Sequence, residues 1–100
     1  MRLQLSPLAQ TDLEDIGDYI ALDSPANALR FIQGLRAQCK KITLSPLAYI
    51  ARPELGEGLR SCSHGRYMIF FHADSDFVRI ERILHSGRDI RTELIAGAAD

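Results

Sequence analysis

The sequence predicts one α+β domain, an N-terminal strand followed by an antiparallel helical hairpin packed on an antiparallel β-sheet, in the order β-α-α-β-β-β. Three observations carry this expectation. Apolar residues recur at helical spacing from Ala9 to Ile42, the vocabulary changes to that of strands after Leu59, and Ser-Pro pairs stand where helices must start. A chain of 100 residues, 46% hydrophobic and 25% charged, has the make-up of a single ordinary globular domain. So short a chain leaves much of its surface in water, so a partner that covers apolar surface would stabilise it.

Arg2 to Leu5 alternates polar and apolar residues and runs into Ser6-Pro7. Ser6 offers an oxygen to an orphan amide of the first helical turn, and Pro7 fits the first helical position because its missing donor costs nothing there. The first helix is expected to reach about Ala21, with Ala9, Leu13, Ile16 and Ile20 as its buried stripe. Ser24-Pro25 repeats the device. The second helix puts Ala28, Phe31, Ile32, Leu35, Cys39 and Ile42 on one face and Arg30, Gln33, Ala37 and Lys41 on the other. The short link makes the two helices antiparallel neighbours, and Ser45-Pro46 ends the second or opens the linker beyond it.

Leu47 to Gly58 holds proline and glycine without a sustained period and reads as a loop. Its length suits either a binding role or a lid, made by Leu47, Tyr49, Ile50 and Leu55, over the core. Strands are expected at Leu59–Cys62, Tyr67–His72 and Phe77–His85, with turns at Ser63-His64-Gly65 and Asp74-Ser75-Asp76. Short links imply an antiparallel meander whose second face is free for solvent or a partner. The domain is expected to span residues 1–95, with the alanine- and glycine-rich end, 96–100, as a flexible tail.

No apolar run approaches the ~20 residues of a membrane span, and the N-terminus lacks the apolar core of a signal peptide, so a cytoplasmic location is expected. Cys39 and Cys62 have neither metal-ligand spacing nor the number of a disulfide framework and read as packing residues. The net charge of -1 argues against a strongly attractive field for nucleic acid. Its distribution is segregated. Leu3 to Leu29 carries only acidic charges (Asp12, Glu14, Asp15, Asp18, Asp23), and Arg30 to Arg52 only basic ones (Arg30, Arg36, Lys40, Lys41, Arg52), a pattern that suits two solvated helix faces.

The strands and their continuation carry Arg60, Arg66, Arg79, Arg82, Arg88 and Arg91, planar forks suited to carboxylate or phosphate. Strict alternation would place Val78, Ile80, Arg82 and Leu84 on one face, toward Leu13, Ile16, Phe31 and Leu35, and Arg79, Glu81, Ile83 and His85 on the other. The imperfect period leaves room for a bulge or a buried Arg82 ion pair. Among the histidines, His64 reads as a turn residue and His72 as a strand end, while His85 closes the last strand and carries the side-chain type suited to acid or base chemistry. No metal ligand set, nucleophile elbow or phosphate-binding glycine loop is present in the sequence, so neither metal nor cofactor is expected.

The segments LSPLAQTDLEDIGDYIALDSPANALRFIQGL, RPELGEGLRS and GRYMIFFHADSDFVRIERILHSGRDI together resemble toxins of the ParE branch of the ParE/RelE family, in the correct order along most of the chain. The resemblance implies the RelE/ParE-like fold and the toxin half of a type II toxin-antitoxin pair. It implies neutralisation by a ParD-like antitoxin in a hetero-oligomer, and DNA gyrase as the target. The RelE-like cousins instead cut ribosome-bound messenger RNA with basic sheet residues and a terminal tyrosine, whose position here falls at about Leu94. That departure favours gyrase inhibition over the alternative of a ribosome-dependent endonuclease, with no catalytic residue assigned and no sequence-specific nucleic-acid binding by the toxin alone.

Arg60, Arg66, Tyr67, Arg79 and Arg82 are expected to meet the antitoxin, whose acidic segments would order on binding as a helix and an extended stretch over the hairpin and the sheet. His85, Arg88, Asp89 and Arg91, projecting beyond the final strand, are expected to meet the target.

Overall fold

A computed structural model describes residues 1–96. Its elements are β1 (Arg2–Leu5), α1 (Pro7–Ala21), α2 (Pro25–Ile42), a short 3-10 turn (Pro46–Ala48), β2 (Ile50–Ala51), β3 (Arg60–His64), β4 (Tyr67–Ala73), β5 (Phe77–His85) and α3 (Thr92–Ala96). Both helices of the hairpin start as their Ser-Pro pairs dictate. Ser6 Oγ accepts from the Ala9 amide at 3.0 Å, and Ser24 Oγ from that of Asn27 at 3.2 Å.

The sheet has five strands in the order β1-β5-β4-β3-β2. It is mixed rather than wholly antiparallel, because β1 runs parallel to β5 and pairs Leu3 with Val78 and Leu5 with Ile80. The hairpin of α1 and α2 is the long crossover that returns the chain in the same direction. The expected loop from Leu47 to Gly58 is partly structured: β2 pairs Ile50 with Ser61 and adds the opposite edge strand. The turn expected at Ser63-His64-Gly65 is tighter, since Ser63 and His64 extend β3 and only Gly65 and Arg66 turn. Gly65 makes this possible with φ at +57°, a region side chains avoid.

One layer of core lies between hairpin and sheet, where Leu13, Ile16, Leu35 and Ile42 pack with Ile69, Phe71, Val78, Ile80 and Ile83. Phe31 and Ile32 are half-buried at its margin. Leu84 is not part of this layer, contrary to the alternation read from sequence. The ladder shifts between Phe70 and Phe71, which face Arg82 and Ile80, so Glu81 is an inserted residue. This bulge turns Ile83 toward the helices and Leu84 to the opposite face.

That opposite face is not left free. Phe70 and Leu84 are covered there by Leu55 and Leu59 of the long loop and by Ile95 of α3. Ile95 is only 4% exposed and α3 runs to Ala96, while 97–100 of the expected tail lie outside the described residues. The two cysteines are free and buried, and burial pushes the Cys39 thiol up to about 11, as befits packing residues.

β1 ends at Leu5, leaving the edge of β5 without a strand from Glu81 onward. Side chains replace it. Ser6 donates its amide to the Ile80 carbonyl at 2.9 Å and its hydroxyl to the Glu81 carbonyl at 2.6 Å. From α1, Asp12 then accepts from the Ile83 amide at 2.9 Å while gripping the Arg82 guanidinium at 2.8 and 2.9 Å. A bulge and a buried Arg82 ion pair are thus both present, and they are one device: the inserted residue brings Arg82 to the edge where Asp12 waits.

Candidate functional site

Tyr67, the first residue of β4, pairs with His85, the last of β5, and their rings meet edge to face at 5.3 Å. Tyr19 and Ile20 from the last turn of α1, Phe31 of α2, and the turn at Gly65 and Arg66 stand around them. Together they enclose a cleft of about 570 Å³ between the hairpin and the end of the sheet. A second hollow of about 230 Å³ shares Tyr19, Tyr67 and His85 and extends to Asp12, Asp15 and Arg88. Apolar rings form the floor; charges stand at the rim.

Local geometry sets the chemistry of each group. Gly87 donates its amide to His85 Nδ1 at 3.0 Å, so that nitrogen is an acceptor and the proton of the neutral ring sits on Nε2. Burial, and after it neighbouring Tyr19, pushes the Tyr67 hydroxyl above its ordinary value and keeps it protonated. Each group therefore carries a hydrogen that it can donate. Among the described residues, the guanidiniums of Arg66 and Arg88 have no hydrogen-bond or ion-pair partner, and both side chains are exposed.

The structure brings Arg66, Tyr67 and His85 together around this cleft, sets Arg88 on the second hollow that shares Tyr67 and His85, and disperses the other residues singled out in the sequence. Asp89 and Arg91 are exposed and pair with each other at 2.7 Å. Arg60 donates to the Tyr49 carbonyl at 2.7 Å, near the opposite edge of the sheet. Arg79 lies on the face away from the helices, where it joins Glu81 at 2.9 Å, and Glu81 in turn meets His72 at 2.8 Å. Arg82, with 9% exposure, is committed to Asp12 and to the Leu94 carbonyl, which sets it inside the molecule rather than on an exposed arginine row.

His64, read as a turn residue, instead stacks obliquely on Phe31 at 5.5 Å from the end of β3. The cleft residues Tyr19, Ile20 and Phe31 were absent from the sequence-based site. One sign of them existed: Tyr19 is an aromatic residue outside the buried stripe of α1, and it is 71% exposed. Among the described residues no group of histidine, cysteine, aspartate or glutamate could hold a metal ion, and no helix is long and apolar enough to cross a membrane.

A two-helix crossover laid on a mixed five-stranded sheet recurs in solved chains of toxin-antitoxin systems. The structure is similar to a chain of the chromosomal ParDE toxin-antitoxin system from P. aeruginosa, with a TM-score of 0.72 and 26% identity over 85% of this chain and 95% of that one. It shares the fold of a chain in the toxin-antitoxin complex RelBE2 from Mycobacterium tuberculosis, with a TM-score of 0.54 and 24% identity over 84% of this chain and 95% of that one. No curated protein matches the chain. The family model for the ParE toxin of the parDE type II toxin-antitoxin system matches residues 3–90, and the chain belongs to that family.

Proposed function

We propose that this toxin acts by binding rather than by cutting, that its target is DNA gyrase, and that a ParD-like antitoxin neutralises it by direct contact in the cytoplasm. The state of His85 carries the binding reading. Cleavage of RNA needs a base with a free lone pair at the attacking hydroxyl, whereas His85 spends its lone pair on the Gly87 amide and presents a hydrogen. Tyr67 beside it is held protonated. Leu94, where the RNA-cutting cousins carry a tyrosine, is half-buried against the second apolar cluster.

An antitoxin is supported by what the chain leaves uncovered. Tyr19, Leu22 and Leu29 on the hairpin, and Leu44, Leu47 and Ile50 after it, are large apolar side chains more than half exposed. Such surface on a small domain marks a partner. Copurification from the native operon tests this half of the reading, and a toxin isolated without a neighbour-encoded protein would count against it.

Arg88→Ala tests the target. The variant is expected to fold and bind its antitoxin while growth arrest and inhibition of purified gyrase fall by about tenfold or more, the scale of one lost charge-assisted contact. Undiminished toxicity would mean that the active surface lies elsewhere. Cleavage of messenger RNA on ribosomes, with gyrase supercoiling unaffected, would overturn the gyrase reading in favour of the RelE type of activity.

A further inference from the structure

We infer that residues 52–59 form a strap over the second apolar cluster, latched by protonated His72 and loosened when that ring loses its proton. The strap is closed on itself. The Arg52 amide donates to the Leu59 carbonyl at 2.8 Å, and the Leu59 amide to the Gly56 carbonyl at 3.2 Å. Leu55 and Leu59 press on Phe70 and Leu84, while the Arg52 guanidinium lies over the Phe70 ring and bonds to Ser61 at 3.2 Å. Glu57 and Gly58 are exposed, and His72 of β4 ties them to the sheet through a 3.1 Å bond from Nε2 to the Glu57 carbonyl. Gly58, with φ at +74°, turns the chain there against the edge of the imidazole.

Only a doubly protonated ring can serve both of its neighbours. Nδ1 meets the Glu81 carboxylate at 2.8 Å and Nε2 the Glu57 carbonyl, and each of these oxygens is an acceptor. A neutral ring has one hydrogen to give. The carboxylate is charged and buried and makes the stronger bond, so the nitrogen facing Glu57 is left with a lone pair against a carbonyl oxygen. The surrounding charges set the direction of the switch. Glu81 of β5 favours the imidazolium, and Arg79, which bonds to Glu81 at 2.9 Å, opposes it. The direct bond to Glu81 outweighs burial and Arg79 and holds the ring above its ordinary value. Of the strap's own acids, Glu54 is tied to Arg52 at 2.9 Å and Glu57 is exposed. The latch is therefore shut below the folded value and opens as pH rises through it. With Leu55 and Leu59 buried on either side, the turn from Gly56 to Gly58 is the part that loosens.

Hydrogen exchange in the full chain, labelled with nitrogen-15, tests the latch from about pH 6 to about pH 9, each rate being divided by the intrinsic rate at that pH. Protection of the Leu59 amide, whose bond spans the turn, is expected to fall about fivefold along the titration curve of the His72 ring. The Ile83 amide, bonded to Asp12, should keep its protection over the same range. His72→Gln should show the lower protection of Leu59 throughout, with no step. Glu81→Gln, which keeps the shape and removes the charge, should move both the step and the ring titration to lower pH. A step that persists in His72→Gln, or one that does not follow the ring, would overturn the latch. So would an equal loss of protection at Ile83, because the whole domain and not the strap would then be loosening.

Discussion

Arg82 and Arg88 stand on either side of the end of β5 and meet opposite fates. Arg82 gives three hydrogen bonds, two to Asp12 and one to the Leu94 carbonyl, and is almost wholly buried. Arg88 is exposed, and its backbone amide bonds to the His85 carbonyl at 3.0 Å while its side chain stays unpaired among the described residues. The same residue type closes the fold where a carboxylate from α1 reaches the strand edge, and remains available where the strand has run out beyond that carboxylate. Partnership within the chain, more than residue type, separates a structural arginine from an available one.

Removing Asp12 puts this contrast to its hardest test. Asp12→Ala strands the Arg82 charge and leaves the Ile83 amide without its acceptor, so it is expected to cost about 3 kcal/mol or more in urea unfolding. Arg88→Ala should change stability by no more than about 0.5 kcal/mol. Adding Arg82→Met to Asp12→Ala should recover part of the loss, because the uncompensated charge is then gone. Similar stabilities for the two single variants would break the comparison.

A middle-sized effect concerns the backbone that shapes the cleft. Gly65 has φ at +57°, and a Cβ there would come within 3.2 Å of the Phe31 ring. Gly65→Ala is expected to destabilise by about 1 to 2 kcal/mol, the cost of a side chain in left-handed backbone. A variant as stable as the parent would mean that the turn relaxes freely and does not fix the cleft wall.

The smallest effect is a pH dependence on the face away from the helices. His72 Nδ1 meets the Glu81 carboxylate at 2.8 Å and Nε2 meets the Glu57 carbonyl at 3.1 Å. Both partners are acceptors, so the ring is best satisfied as imidazolium, and the bond to Glu81 raises its pKa above 6.5 despite partial burial. A raised folded value means that this stability is full below the unfolded value near 6.5 and is lost as pH rises through the folded one. Glu81 has the opposite sign. Although burial alone would raise it, the bonds from His72 and Arg79 lower its value below 4.5, so its share is present above that value and lost as pH falls through the folded one. His72→Gln should therefore flatten the decline in melting temperature on the alkaline side of neutrality. A decline of equal steepness in both proteins would assign it to other groups.

Much of the framework was legible along the chain. Ser6-Pro7 and Ser24-Pro25 started their helices where capping chemistry requires, and the stripe of Ala9, Leu13 and Ile16 went to the core, since a local hydrogen bond and a local period decide both. Leu84 was misplaced because a bulge is a property of two strands: only the register of Phe70 against Arg82 reveals that Glu81 is inserted. Of the residues around the two hollows, His85, Arg88, Arg66 and Tyr67 had been singled out in the sequence by their chemistry. Tyr19 and Phe31 were not, because their contribution comes from the angle at which the hairpin crosses the sheet.

Sequence alone determined the helical hairpin, the three main strands and the presence of arginines near the chain's end, because turns, caps and periodicities act over a few neighbouring residues. The tertiary structure decided that β1 joins β5 in parallel and that α3 and the long loop cover the second face. It also decided which arginine is spent on Asp12 and which two are left exposed beside the hollows that share Tyr67 and His85. Those outcomes depend on residues far apart in the chain, Asp12 with Arg82 and Tyr19 with Tyr67 and His85. Their proximity is created only when the crossover closes onto the sheet.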